Sequence, residues 1–407
     1  MNFVISALVL SSILFISSTA LAVSIEELVR ASAIENGMKR SKTANPPHDP
    51  DLAKLGELFF GSKAMSLNGG MSCQTCHLDK FGSADGIPNG IGVGGEGEGS
   101  ERVLKGGDVV PRNTLALWGR GIPEFRTFFW DGKIDFSKGR HISQFGAEAP
   151  SRDPLEIAIH LPVVEIREML AEDNFVQGVK KENVRSADEV YFEIISRLSQ
   201  KHPEEMTQLA KLQNKDLRET TFDDVAIAIK NFFKSKFALQ KHRFESFVFD
   251  NGKLSQDELR GGLLFYGKGK CSVCHSGVLF SDLEFHGVPM GQLGSGKNGF
   301  GVDYGRFNVT HNTDDLYKFR TPPLLDVENT APYGHSGSVA TMRAAVVRHF
   351  DPLRDLPLDQ MTDHQRVETY KQIAVSAPSV SLLPYLDQDE VGHIVEFMKT
   401  LSFRSKN

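Results

Sequence analysis

One five-residue pattern, two cysteines separated by two residues and followed directly by histidine, occurs twice in this 407-residue chain. The first copy runs from Cys73 to His77 and the second from Cys271 to His275. C-x-x-C-H is the attachment signal of a c-type haem, in which both cysteines form thioethers and the histidine is an axial iron ligand. The predicted haem-binding residues, which include all four cysteines of the chain, are Cys73, Cys76, His77, Cys271, Cys274 and His275.

Other chemistry is compatible with four cysteines in an exported protein. Disulfides, redox-active C-x-x-C pairs and a four-cysteine zinc site are the alternatives. None of these requires a histidine after the second cysteine, and here that histidine occurs in both copies. The pattern therefore favours two covalently bound c-type haems.

The N-terminal segment has the features of an export signal. The first 22 residues contain no charged side chain and are largely apolar from Phe3 to Ile16. They end in Ala20-Leu21-Ala22, which has the small-x-small form of a signal-peptidase site. We expect residues 1–22 to be a signal peptide cleaved after Ala22, which would place the mature protein in the periplasm. An uncleaved membrane anchor is the alternative, because the segment has no positive side chain.

The charge pattern bears on partners. The formal net charge is −6, and no long run of lysine or arginine occurs. Nucleic acids and anionic membranes are bound by clustered positive charge, so we expect neither as a partner. A cationic redox protein suits this charge better.

The segment before each motif is also repeated, which predicts tandem domains. A helical apolar pattern ends in Gly56–Gly61 before the first motif and in Gly262–Gly267 before the second. A further helical pattern, 387–401, has an apolar stripe suited to packing on the helix before the second motif. Strand signals are scarce. We therefore predict a mainly α protein of two cytochrome c-like domains, residues 23–250 and 251–407, each with one covalent haem. The apolar positions of these patterns are Leu52, Leu55 and Phe59; Leu259, Leu263 and Tyr266; and Val391, Ile394, Val395 and Met398.

A glycine-rich stretch, Gly82–Gly107, follows the first motif. A long insertion of this kind is either a functional loop or lid, or a flexible surface excursion, and the sequence leaves both open. Residues 153–245 are predicted to be helical, with Phe222, Val225, Ile229 and Phe232 on one face.

Three further motifs occur in a fixed order around the two haem motifs. They are Pro111-Arg112-Asn113-Thr114, Phe128-Phe129-Trp130-Asp131-Gly132 and, after the second haem motif, 330–337 with the sequence TAPYGHSG. The ordered set resembles the bacterial di-haem cytochrome c peroxidase superfamily, which includes the MauG-like enzymes. The resemblance implies that the first haem reacts with hydrogen peroxide. It also implies that the second haem receives electrons from a small donor, a cytochrome c or cupredoxin, and that a homodimer is the usual assembly.

The resemblance also implies roles for particular residues. The distal acid–base group is expected at Glu168, with Glu165 as the second choice, and Trp130 is expected to relay electrons between the haems. The second axial ligand of the second haem is expected at His349, with Met290, Met342 and His335 as alternatives. A calcium ion is expected between the domains, bound by the Asn113 side chain and the backbone carbonyls of Thr330 and Pro332.

Members of this family often carry a second histidine shortly after their first motif, which closes that haem iron. No histidine occurs here between His77 and His141. We therefore expect the first haem to be open to substrate and the second to be closed by two histidines. The expected function is reduction of hydrogen peroxide to water. The alternatives are a MauG-like oxidase acting on a protein or organic substrate, and a di-haem electron carrier without catalysis.

Overall fold

The computed structural model describes residues 23–172, 176, 184–354, 356, 359, 361–375 and 384–403. The predicted signal peptide, residues 1–22, lies outside this part of the chain. The α-helices are α1 (Ile25–Glu35), α2 (Ser41–Ala44), α3 (Pro50–Gly61), α4 (Ser100–Leu104), α5 (Pro154–His160), α6 (Val184–Lys201), α7 (Pro203–Leu212), α8 (Phe222–Lys236), α9 (Arg243–Phe249), α10 (Gln256–Tyr266), α11 (Phe307–Thr310), α12 (Met342–Phe350), α13 (Asp363–Ala374) and α14 (Gln388–Lys399). The strands, each of two residues, are β1 (Thr127–Phe128), β2 (Ile134–Asp135), β3 (Ile142–Ser143), β4 (Phe285–His286) and β5 (Phe319–Arg320). The fold is mainly helical, as the sequence predicts.

Helices α3 and α8 pack on each other in the first half of the molecule. They approach so closely at Gly56 that a β-carbon there would lie 2.1 Å from the carbonyl oxygen of Ala228. Only glycine permits this backbone contact. The predicted apolar faces of both helices are buried, which confirms their assignment from the 3.6-residue period.

Helices α10 and α14 form a matching pair in the second half. Here Gly261 is the point of close approach, because a β-carbon would lie 1.9 Å from the carbonyl oxygen of His393. Val391 and Ile394 are fully buried, and so is Phe397, which the predicted stripe omitted. The predicted packing of the closing helix on the helix before the second motif is confirmed.

Two helices from the N-terminal part of the chain also pack on the α10–α14 pair. Arg30 in α1 donates a hydrogen bond from Nε to the carbonyl of Phe247 in α9, at 2.9 Å. In α9, the ring of Phe244 contacts that of Phe397 edge-on, with 4.8 Å between centroids. The boundary at residue 250 stays a prediction, and α1 and α9 border the second half in space.

The short strands anchor loops. Strands β1, β2 and β3 form an antiparallel ladder that carries the tryptophan motif on its β1–β2 turn, and β4 pairs with β5. Among the described residues, no helix combines the length and apolarity required to cross a membrane.

The glycine-rich stretch packs onto the protein over its first half. Backbone hydrogen bonds join Gly92 to Asp108 and Val110 to Gly90, both at 2.8 Å. The buried side chain of Arg102 donates to the carbonyl oxygens of Ile91 and Gly92. The first half of this stretch forms a wall beside the first haem motif, whereas most residues from 94 to 107 are exposed.

Candidate active site between the two haem motifs

Both C-x-x-C-H motifs fold into the same turn. In each copy the histidine amide donates to the carbonyl of the first cysteine, at 3.1 Å for His77 and 2.8 Å for His275. The imidazole Nδ1 then donates to a later carbonyl, that of Ser83 at 2.8 Å and that of Phe280 at 2.9 Å. A carbonyl oxygen only accepts, so Nδ1 carries the proton and Nε2 keeps the lone pair. Burial lowers the pKa of each imidazole to about 4, which keeps both neutral, the form that binds iron.

Each motif lines its own cavity. Cys73, Cys76 and His77 line the first cavity, whose wall includes Phe60, Met71 and Phe128. Cys271, Cys274 and His275 line the second, with Phe265, Ile394 and Met398 among its apolar residues. None of the four cysteines forms a disulfide. Two thiols, a neutral imidazole and an apolar wall on each side fit one c-type haem per cavity.

His349 lies in the second cavity, on the last turn of α12. Its ring centroid is 6.4 Å from that of His275. With metal–nitrogen bonds of about 2 Å, two imidazoles on opposite sides of one ion have centroids roughly 6 Å apart. Nδ1 of His349 donates to the carbonyl of Ala345 at 2.8 Å, which leaves the lone pair on Nε2. Burial lowers the pKa of His349 and keeps it neutral.

The alternative ligands Met290, Met342 and His335 line the same cavity. His335 is already engaged by other side chains. Its Nε2 is 3.0 Å from Oε1 of Gln292, and its ring stacks on Phe319 with 3.8 Å between centroids. The geometry therefore favours His349 over His335 as the partner of His275.

Glu165 and Glu168 both line the first cavity, in a turn that follows α5. Glu165 forms an ion pair with Lys133. Burial would raise the pKa of Glu165, but the charge of Lys133 outweighs it and holds this carboxyl below its usual range. For Glu168, burial and then the charge of Glu165 raise the pKa to about 7. One carboxyl is thus ionised and paired, and the other is poised to exchange a proton near neutral pH.

The glycine-rich wall supports the Glu168 turn from behind. The amide of Val93 donates to the carbonyl of Arg167 at 3.0 Å. A β-carbon on Gly92 would lie 1.7 Å from that same oxygen, so the contact requires glycine. Arg167 itself has a positive φ of 74°. The wall therefore fixes the backbone that carries Glu168.

A buried charge network ties the halves of the molecule together beside this cavity. Arg112 binds Asp303 through two parallel hydrogen bonds, from Nε at 2.7 Å and from Nη2 at 2.8 Å. Its Nη1 donates to Asp131, the residue after Trp130, at 2.5 Å. Lys297, from a loop of the second half, also lines the first cavity and lies 3.8 Å from Asp131. The first cavity is thus completed by residues distant in sequence.

Trp130 is buried and lines both cavities. Its indole Nε1 donates to the carbonyl of Asn113 at 2.9 Å, which satisfies the indole donor. Trp118 is also buried but lines the second cavity alone, with its Nε1 bonded to the carbonyl of Gly82 at 3.0 Å. Of the two tryptophans in the chain, Trp130 therefore lies between the two cavities, whereas Trp118 lines only the second.

Two of the predicted calcium ligands lie together. The amide nitrogen Nδ2 of Asn113 donates to the carbonyl of Pro332 at 2.8 Å and approaches that of Gly334 at 3.3 Å. Thr330 lies two residues before Pro332, and its hydroxyl donates to the carbonyl of Val327 at 3.2 Å. A calcium ion binds oxygen, so this arrangement suits the ion only if the Asn113 amide turns to present Oδ1.

Sequence reasoning did not identify several residues of the first cavity. Lys133 directly follows the tryptophan motif and Arg112 lies within the first of the three motifs, so their positions carried a signal. Lys297 lies in a glycine-rich loop of the second half that had no such signal. Lys133 and Lys297 bring positive charge to both Glu165 and Glu168, whereas Arg112 pairs with Asp131 and Asp303.

The chain is similar in sequence to known proteins. The family model described as di-haem cytochrome c peroxidase matches residues 50–253. Cytochrome c551 peroxidase of Nitrosomonas europaea is 25% identical over 357 residues, which cover 88% of this chain and 81% of that protein. The methylamine utilization protein MauG of Methylorubrum extorquens is 25% identical over 309 residues, 75% of this chain and 69% of that protein.

Solved structures show the same fold. The crystal structure of a MauG-like protein associated with microbial copper homeostasis matches with a TM-score of 0.64 and 22% identity, covering 90% of this chain and 92% of that one. The diheme peroxidase BthA of Burkholderia thailandensis matches with a TM-score of 0.63 and 19% identity, covering 90% and 89%. With the family match spanning half of the sequence, the chain belongs to the di-haem cytochrome c peroxidase family and is an oxidoreductase of the peroxidase type.

Proposed function

We propose that this protein reduces hydrogen peroxide to two waters in the His77 cavity, using two protons and two electrons that enter through the His275/His349 cavity. The bound haems would supply the redox chemistry, with His77 on the first and His275 and His349 on the second. The observation that carries the proposal is the position of Glu168. A carboxyl with a raised pKa lies in the same cavity as the first haem motif, while its neighbour Glu165 is paired with Lys133.

Glu168 would act as the acid–base group. Cleavage of the peroxide O–O bond needs a base that takes the proton from one oxygen and returns it to the other, which leaves as water. A group whose pKa lies near the working pH performs both steps well. Lys133 and Glu165 would position this chemistry without exchanging the proton themselves, because each satisfies the other's charge.

The first cavity is suited to an open iron. Among the described residues lining it, His77 is the only histidine. We expect a resting ferric spectrum with a high-spin component, because an iron with one protein ligand binds water or nothing on its other side. A purely low-spin resting spectrum would contradict this.

Trp130 would carry electrons between the two sites. It lines both cavities, and its indole donor is bonded to a backbone carbonyl. The donor protein would be a small cytochrome c or cupredoxin in the periplasm, reached after export and cleavage behind Ala22. A homodimer is proposed for the assembly on the same family resemblance.

A MauG-like oxidase is the second candidate. The observation that favours it is the pairing of His275 with His349, because a haem with two imidazoles has a lower potential than one with a methionine ligand and more readily gives up an electron. Such a site would help to hold an oxidised state long enough to act on a protein or organic substrate.

Steady-state peroxide turnover with a reduced cytochrome or cupredoxin separates the candidates. Fast donor-dependent turnover supports the peroxidase. Slow turnover with a long-lived oxidised species supports the MauG-like oxidase, and no reaction with peroxide leaves an electron carrier. The Glu168→Gln variant must lose the turnover while retaining both haems.

We also propose that a calcium ion binds near Asn113, Thr330 and Pro332. The carbonyl of Pro332 and the Asn113 side chain already converge, and rotation of the amide would present two oxygens to the ion. Chelation is expected to lower the melting temperature of the wild type and leave that of Asn113→Ala unchanged. Equal responses of the two proteins would refute this site.

A further inference from the structure

Three buried arginines form no ion pair in the described part of the chain: Arg102, Arg120 and Arg320. Arg102 donates to backbone carbonyls from Nε and from both terminal nitrogens, whereas fewer acceptors surround Arg120 and Arg320. Arg120 is 7% exposed and Arg320 is 1% exposed. Arg120 donates from Nε to the carbonyl of Ala116 at 3.0 Å. Arg320 donates from Nε to the carbonyl of Phe129 at 3.0 Å and from Nη1 to that of Thr321 at 3.2 Å. With the residues that the structure describes, neither forms an ion pair, and Nη2 of Arg320 has no hydrogen-bond acceptor.

Arg112 and Arg306 differ from Arg120 and Arg320, because carboxylates neutralise them. Arg112 is held by Asp131 and Asp303, and Arg306, which is 3% exposed, binds Asp135 at 2.8 Å. A buried charge without a partner destabilises the folded protein, even after the surrounding structure has relaxed. Burial accordingly lowers the pKa of both Arg120 and Arg320, and for Arg320 the charge of Arg120 adds to the effect. Arginine nonetheless stays charged, so each site calls for an anion.

The two side chains lie at different cavities. Arg120 lines the first cavity and Arg320 lines the second. They meet at one residue, because the guanidinium carbons lie 5.5 Å and 5.3 Å from the ring centroid of Phe125. Each cavity is therefore lined by one of these two guanidiniums, and both guanidiniums lie close to the same phenylalanine ring.

We propose that Arg120 binds a propionate carboxylate of the first haem and Arg320 a propionate carboxylate of the second, so that the acidic edges of the two haems converge at Phe125. Haem carries two propionates, and guanidinium binds carboxylate through two parallel hydrogen bonds. This inference rests on the haem content assumed in the proposed function, and it does not depend on peroxide chemistry.

The arrangement would set the redox potentials. A guanidinium that neutralises a propionate favours the ferrous state, which has one positive charge fewer than the ferric state. Loss of the guanidinium leaves a carboxylate in a low-dielectric site, where charge interactions are strong. Each arginine is therefore expected to raise the potential of its own haem more than that of the other.

The experiment compares Arg120→Gln, Arg320→Gln and the matched control Arg126→Gln in the holoprotein. Arg126 is exposed and adjacent to Phe125, and its Nε donates to the carbonyl of Phe136 at 2.7 Å. Spectroelectrochemistry measures both midpoint potentials, and haem content is measured by absorbance after denaturation. We expect at least a tenfold fall in the ferrous-to-ferric ratio at fixed ambient potential, about 59 mV, for the first haem in Arg120→Gln and for the second in Arg320→Gln.

Arg120→Lys and Arg320→Lys keep the charge and are expected to restore most of each potential. If a glutamine variant fails to retain haem, the potential of the lysine variant at the same position is compared with that of the wild type. Unchanged potentials in both glutamine variants would overturn the proposal, and so would equal shifts in the lysine and glutamine variants of each site. If the wild-type protein does not reduce peroxide but the variants show these potential shifts, the peroxidase function is refuted and the propionate sites are supported.

Discussion

Replacing Glu168 with glutamine tests the proposed chemistry most directly. The amide keeps the size of the side chain and removes the group that exchanges the proton. General acid–base catalysis contributes about 10²–10⁴-fold, or roughly 3–5 kcal/mol of activation free energy. We therefore expect kcat/KM for peroxide to fall by about 10²–10⁴-fold, with haem content and melting temperature close to those of the wild type.

The wild-type pH profile provides a second measure. Burial raises the pKa of Glu168 to about 7, and its base form is the carboxylate. The rate is therefore expected to rise between about pH 6 and 8, with its midpoint near 7, and this rise must disappear in Glu168→Gln.

Glu165→Gln is the matched control. Its carboxylate raises the pKa of Glu168, whereas the Lys133 charge, which it now neutralises, lowers that pKa. Removing Glu165 changes both influences in the same direction, so the midpoint of the profile should move below pH 7. The rate above pH 8 should remain within a few-fold of the wild type. The variant should also be less stable, by up to about 3–5 kcal/mol, because Lys133 is left buried without its partner.

The assay is initial-rate peroxide reduction from pH 5 to 9 with a saturating chemical or protein reductant. Unfolding in denaturant gives the stability of each variant. Retention of most wild-type activity by Glu168→Gln would refute the assignment. A loss in Glu165→Gln as large as in Glu168→Gln, at pH 8 and with the fold intact, would contradict the assignment of the acid–base role to Glu168 alone.

Three further substitutions test the remaining assignments. His349→Met should raise the midpoint potential of the second haem by roughly 0.1 V or more, within the roughly 0.8 V range set by axial ligands, and no change in spectroelectrochemistry would remove His349 from the iron. Trp130→Phe should slow electron transfer to the first haem in stopped-flow traces, while Trp118→Phe, which alters the second cavity alone, should not; equal effects would refute the relay. Gly92→Ala should lower the free energy of unfolding in denaturant by about 1–3 kcal/mol and lower turnover, because the new β-carbon would lie 1.7 Å from the carbonyl oxygen of Arg167. Gly90→Ala is its control, since the nearest contact there is 3.3 Å, and similar losses in both would contradict the supporting role of the wall.

Local spacing predicted several helices, but its prediction of helix over 153–245 is wrong for residues 161–172, which form a short 3₁₀ segment and turns around Glu168. The apolar periods around Leu55 and Ile394 identified helices whose buried faces lie where the pattern put them. The close approaches at Gly56 and Gly261 were not predictable, because a glycine in a helical pattern carries no information about the backbone it will meet. The glycine-rich stretch was ambiguous for the same reason. Its buried hydrogen bonds to Arg102 and Arg167 depend on residues brought together by folding.

The choice between Glu165 and Glu168 shows the same limit at the site. The family resemblance favours Glu168, which directly precedes Met169, over Glu165, but it says nothing of the charge state of either carboxyl. The difference comes from Lys133, more than thirty residues away in sequence, and from Lys297, which arrives from the other half of the chain. Electrostatic energy depends on distance in space, so the sequence alone did not contain it.

Local spacing is sufficient to predict the two C-x-x-C-H turns and the chemistry of their histidines, because each turn is closed by a hydrogen bond between residues four apart. The tertiary structure decided how that chemistry is divided. The ring centroids of His349 and His275 lie 6.4 Å apart. His77 is the only histidine among the described residues of the first cavity, and Trp130 lines both cavities. These relations join residues far apart in the chain, and only packing of the two halves on each other creates them.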